Sequence, residues 1–264
     1  MTEKLHQQTE SEQAHHGLWP ELAEQLEMAG RVQRNFLPAR LPNSEHLRFS
    51  ALFRPAEWVS GDIYDVRRLD ETHIGFYIAD AVGHSMPAAL LTIFIKQAMI
   101  MRQTYDNTWQ IFPPRQVISN LNLQMIEQEL QGCLFSTACY FLLNTETMET
   151  QWARAGHPYP VLIRDGRPKM LESRGGLLGV FEQTQFEEHS LQLCPGDKLL
   201  LYSDGAEPLI GTGKDAEFNF HFSFIDLCSL PADELIAALD HQADTYRPAP
   251  GQKDDITALA LQVL

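Results

Sequence analysis

The stretch His73-Ile74-Gly75-Phe76-Tyr77-Ile78-Ala79-Asp80-Ala81-Val82-Gly83-His84, residues 73–84, decides the fold of this chain. Its apolar run Ile74–Ile78 predicts a strand over His73–Ala79, and Asp80 stands where that strand ends. Upstream, Leu47–Phe53 and Trp58–Tyr64 share the same short, β-branched and aromatic character, with turn residues between them. Downstream two helices are predicted. One runs from Met86 to Arg102, opened by Ser85 with Pro87 in its first turn. The other runs from Pro114 to Leu130, with Val117, Leu121, Met125 and Ile126 on one face. Strands resume over Phe135–Leu143, Glu149–Ala155, Pro160–Arg164, Phe186–Leu193 and Lys198–Ser203; a helix over Ala232–Ala243 then precedes a strand over Ile256–Val263. Strands grouped before and after a central helix pair predict an α+β layered sandwich, not alternating βαβ units.

Asp80 has counterparts. Ser60-Gly61-Asp62-Ile63-Tyr64-Asp65, Tyr202-Ser203-Asp204-Gly205 and Lys253-Asp254-Asp255-Ile256-Thr257 each place aspartate where a predicted strand ends or turns. Singly, each fits a turn, because Asp tolerates the conformations that turns require. Together they imply carboxylates converging at the ends of neighbouring core strands, where they repel one another unless cations lie between them. All-oxygen ligation suits Mg2+ or Mn2+. Zinc is disfavoured, since no CxxC pair or HExxH occurs.

The order GDxYD, ADxxGH with Ala88-Ala89 after it, AGHP (Ala155 to Pro158), GGxxG (Gly175 to Gly179), PGDxLLLYSDG (Pro195 to Gly205) and DDIT resembles the SpoIIE/RsbU-like branch of the PPM metal-dependent serine/threonine protein phosphatases. The resemblance covers about residues 20–264 and includes the helix ending Val32–Pro38 (VQRNFLP). It implies a PPM-type α-β-β-α sandwich of two antiparallel sheets flanked by helices. It also implies two ions, Mn2+ or Mg2+, with Asp80 bridging both. Asp62 and the Ala81 carbonyl resemble ligands of one ion, Asp204 and Asp254 resemble ligands of the other, and Asp255 is a supporting ligand. The ions would lie about 4 Å apart and activate a water for in-line attack on phosphate, without a phosphoenzyme. The implied substrate is a phosphorylated anti-sigma-factor antagonist of the STAS type in bacterial partner switching, with an upstream sensor or receiver element. Two departures stand out: Ser60 where the family usually has Gly, and Ser85 after His84 where a Gly is common. The alternative is a phosphatase-like scaffold that grips a regulator without turnover.

A net charge of −15 and a pI near 5.0 argue against broad nucleic-acid binding. They also require something local to reverse the field at an anionic substrate, which bound cations would do. The cysteines, Cys133, Cys139, Cys194 and Cys228, form no pair motif and predict a reducing, cytoplasmic setting without disulfides. The most apolar stretch, Ala88 to Ile95, is too short to span a membrane. Residues 1–17 are predicted to be a disordered tail, 18–42 a linker or dimerisation helix, and 43–264 the phosphatase domain. In that helix Leu22, Leu26, Ala29, Val32 and Phe36 form an apolar stripe. Such a stripe either packs on its own domain or pairs with another chain, as in a homodimer; core-facing stripes are the commoner case. His157, in Gly-His-Pro, fits a structural plug better than a catalyst. Arg54 suits either a phosphate contact or the surface, and His84 either a water contact or a loop bond.

Overall fold

The computed structural model describes residues 20–83, 85–106, 108–129, 135–213, 218–246 and 253–264; the expected tail, His84, Leu130 and Cys133 lie outside the described residues. In chain order the elements are α1 (20–34), β1 (Leu47–Arg54), β2 (Asp62–Arg68), β3 (His73–Ala81), α2 (Met86–Ala98), β4 (Arg102–Tyr105), β5 (Thr108–Ile111), α3 (Pro114–Glu127), β6 (Ser136–Asn144), β7 (Glu149–Ala155), β8 (Val161–Arg164), β9 (Arg167–Met170), β10 (Glu188–Gln192), β11 (Lys198–Tyr202), α4 (Glu207–Ile210), β12 (Gly211–Thr212), β13 (Asn219–Phe220), α5 (Phe222–Leu227), α6 (Ala232–Thr245) and β14 (Ile256–Val263). Two five-stranded antiparallel sheets form, ordered β1-β14-β11-β8-β9 and β10-β7-β6-β3-β2.

Strand alternation explains the layering. On β3, Ile74, Phe76 and Ile78 face the other sheet, while Tyr77, Ala79 and Ala81 face the helices. Between the sheets Phe76 stacks on Phe141 (5.2 Å) and Phe141 on Trp152 (5.7 Å), with Leu199, Leu201, Leu259 and Leu261 opposite. Burying each such side chain contributes about 1.5–3 kcal/mol. Outside one sheet, Leu91 and Ile95 of α2 and Val117 and Leu121 of α3 meet Tyr77 and Tyr140. Outside the other, Leu235, Ile236 and Leu239 of α6 cover Leu200, Tyr202, Ala258 and Ala260. The α-β-β-α sandwich matches the expected fold.

Several boundaries differ from expectation. The strand predicted over Trp58–Tyr64 begins only at Asp62, because the Ser60 and Gly61 N–H groups are given to side chains distant in sequence (below). Helix α2 stops at Ala98, and Arg102–Ile111 fold back as the β4–β5 hairpin around Asp106, which holds φ 48°. A β8–β9 hairpin turns at Asp165-Gly166, both at positive φ, which is the preferred two-residue turn chemistry. The apolar stripe of α1 does not enter the core: Leu22 and Val32 are 46% and 50% exposed. The helix docks instead through Gly30, where a Cβ would collide with the Trp58 carbonyl, and through buried Gln33. Among the described residues no helix is long and apolar enough to cross a membrane.

Candidate metal centre

Register brings the first two motifs together. Asp62 at the start of β2 pairs with Asp80 on β3, and Asp80 pairs with Thr137 on β6. By alternation Asp62 and Asp80 lie on the face between the sheets. In the other sheet, β11 ends one residue before Ser203 and β14 begins one residue after Asp255, with Tyr202 paired to Ala258. Ser203 N–H donates to the Thr257 carbonyl (2.9 Å) and Thr257 N–H to Ser203 Oγ (3.0 Å). Gly205 lies against the Asp255 carbonyl so closely that a Cβ there would collide with it. Asp204, Asp254 and Asp255 thus gather at the end of the sandwich that carries Asp62 and Asp80.

The carboxylates differ in how they are held. Asp255 is buried and fully occupied, accepting from Ala56 N–H through Oδ1 and from Gly61 N–H through Oδ2, both at 2.6 Å. Burial raises its pKa, and these two bonds oppose the shift. Asp254 is exposed, with Oδ1 accepting the Asp255 N–H at 2.9 Å. Asp62 is buried, and its Oδ2 has no hydrogen-bond partner among the described residues. Its pKa stands well above the usual carboxylate range, through burial first and then the charge of Asp80. Asp80 is pushed up to about 8 by burial, then by Asp204, Asp254 and Asp255. Asp204 is raised by burial and then by Asp254. The Ala81 carbonyl lies beside the loop, since a Cβ on Gly61 would meet both it and the Gly83 carbonyl.

These residues suit a hard divalent cation. Every donor is an oxygen, one buried carboxylate oxygen lacks a partner, and like charges raise one another's proton affinity as a cation would relieve. Among the described residues no three acidic, His or Cys groups already close around one point, so the fit rests on donor chemistry and mutual charge.

Other residues serve the frame. Alternation sends the second aspartate of the first motif, Asp65, to the helix side, where it meets Lys96 Nζ of α2 (2.6 Å) and Arg67 Nε (2.5 Å). His157 is buried with Nδ1 2.8 Å from Thr137 Oγ1. Burial pushes its imidazole down to about 3, Arg154 adding to the effect and the Tyr202 main chain opposing it, so the ring is neutral. Arg54 is ion-paired to Asp240 and, at 2.8 Å, to Asp244. Gln33 was not foreseen: its Nε2 donates to the Ser60 carbonyl (2.6 Å) and Thr92 Oγ1 (3.0 Å), and its Oε1 accepts the Ser60 N–H (2.9 Å). The sequence sign of it was a lone amide at the end of α1, one turn beyond the small residues Ala29 and Gly30.

Two antiparallel sheets between helices, with acidic strand ends facing one another, define a PP2C-like class of fold. The SiaA-PP2C domain of Pseudomonas aeruginosa shares it with TM-score 0.72 and 22% identity, covering 94% of this chain and 99% of that one. RsbX, solved in complex with magnesium, shares it with TM-score 0.60 and 17% identity, covering 85% of this chain and 99% of that one. The family model described as Stage II sporulation protein E (SpoIIE) matches residues 70–264. The phosphoserine phosphatase RsbU of Bacillus subtilis (strain 168) is 32% identical over 191 residues, 72% of this chain and 55% of that protein. The chain belongs to the SpoIIE family of PPM-type phosphatase domains, and it spans about half the length of the curated relatives it matches.

Proposed function

We propose that this chain is a metal-dependent phosphatase of phosphoserine or phosphothreonine on a partner protein. The observation that carries the reading is the mutual charge of the aspartates at one end of the sandwich: Asp80 is raised to about 8 by burial and then by Asp204, Asp254 and Asp255, and Asp62 is raised by burial and then by Asp80. Asp62, Asp80 and the Ala81 carbonyl would hold one Mn2+ or Mg2+, and Asp80, Asp204 and Asp254 a second. When bound, such ions supply charge neutralisation at phosphoryl oxygens and lower the pKa of water. Asp255, with both oxygens given to backbone N–H groups, fixes the loop that presents Asp62 instead of serving as a principal ligand. Kinship with RsbU supports a STAS-type phosphoprotein in partner switching as substrate, with residues 18–42 as the regulatory or dimerising segment of a domain spanning 43–264.

Phosphate release from a phosphoserine protein with Mn2+ or Mg2+ tests the proposal. Asp80→Ala and Asp204→Ala are expected to lower the rate at least a hundredfold, roughly the effect of losing electrostatic stabilisation at a reacting centre, while Arg31→Ala on the exposed face of α1 leaves it unchanged. An inactive wild type that still binds Mn2+ would point to the scaffold alternative.

A further inference from the structure

A cleft of ≈ 620 Å³ opens beside the acidic centre, lined by Asp204 and Asp254 on one side and by Arg34, Arg54 and Lys253 elsewhere, with Phe53, Ala56, Pro208 and Tyr246 as apolar wall. The ions proposed above would neutralise only some oxygens of a phosphoryl dianion at this centre, and a cation of the protein's own would take the others. Arg54 is spent on Asp240 and Asp244. Lys253 is exposed and directly precedes the exposed Asp254. Arg34 is different: it is exposed, and among the described residues its side chain makes no ion pair or hydrogen bond. Its backbone origin is nevertheless fixed. It is the last residue of α1, directly after Gln33, whose amide is bound to Ser60 and Thr92, and its carbonyl accepts the Leu37 N–H at 3.1 Å. A fixed base and a free guanidinium facing a cleft make a built arm for an anion.

We propose that Arg34 is the phosphate-binding residue of this cleft, its planar fork taking non-bridging phosphoryl oxygens while the apolar wall receives the chain on either side of a phosphorylated serine or threonine. This rests on the phosphatase reading and adds to it a substrate contact that comes from α1 and lies outside the acidic motifs. The apolar wall favours a polypeptide over a bare phosphate ion.

The test uses the full chain with Mn2+, a synthetic phosphoserine peptide, and inorganic phosphate as competitor. Arg34→Ala is expected to raise KM for the peptide and the inhibition constant of phosphate by about tenfold to a hundredfold, the range of a charge-assisted hydrogen bond, with kcat within about threefold. Arg34→Lys recovers part of the loss. Arg31→Ala, which removes the same charge one turn earlier where Arg31 pairs with Glu27 at 3.1 Å, leaves both constants in place. Unchanged constants in Arg34→Ala overturn the proposal, as does an equal shift in Arg31→Ala or a loss confined to Lys253→Ala. A wild type that releases no phosphate defeats the phosphatase reading alone. Fluorescence anisotropy of the labelled peptide on wild type and Arg34→Ala then still decides the arginine, equal affinities overturning it.

Discussion

At the scale of single residues, the acidic centre stores a dependence on pH whose sign follows from its proton affinities. Asp80 sits at about 8 in the fold, against roughly 3.9 for a free side chain, and Asp62 and Asp204 are raised as well. The folded protein therefore keeps protons that the unfolded chain has released, so this contribution is full below about pH 4 and is lost as pH rises towards 8. Protein stripped of metal by chelator should show a thermal midpoint that falls between about pH 5.5 and 8, and Asp80→Asn should flatten the fall. Added Mn2+ should raise the midpoint more at the upper pH, because the cation replaces the protons there. A chelated midpoint that rises over this window would contradict the raised affinities. Of these residues the sequence displayed the positions of all five aspartates. It did not display that Asp255 is consumed by Ala56 and Gly61, partners 199 and 194 residues away, since no local pattern encodes a bond of that span.

At the scale of elements, the acidic loop is braced by two helices. Asp65 is buried against Lys96 of α2, a pair whose breaking leaves an uncompensated charge inside. Gln33 of α1 satisfies both the N–H and the C=O of Ser60, which is buried. Gln33→Ala should therefore lower stability in urea by about 2 kcal/mol and weaken Mn2+ binding measured by calorimetry, since the loop beginning Asp62 loses its clamp. Equal stability and affinity would show that α1 merely rests there. A continuous apolar run at the centre of each made β3, β6, β11 and β14 readable. The start of β2 departs from the sequence pattern for a physical reason: Trp58 and Val59 look like strand residues, but the N–H groups that follow them are taken by Gln33 and Asp255 and cannot join a ladder. The Asp165-Gly166 turn has a local signature in the sequence, whereas β12, β13 and α5 are too short to leave a periodic trace.

At the scale of the molecule, α1 offers a surface as well as a clamp. Leu22, Met28 and Val32 remain about half exposed along it, so the apolar stripe is available to a second copy of the chain. Light scattering should give a mass above the monomer for the full chain and the monomer mass after deletion of residues 1–38. A strict monomer in both would remove the dimerisation role and leave the clamp.

The position of β14 has a consequence for biosynthesis. It lies between β1 and β11, so Leu47–Arg54, translated well before Ile256–Val263, wait for that segment to find their neighbour. Until that segment is translated, two apolar edges stay open to stray pairing, and a nascent chain interrupted before Asp255 lacks both the strand that joins β1 to β11 and the bond that holds the Gly61 loop. Quality control of such unfinished chains would fall to whatever shields those edges during synthesis.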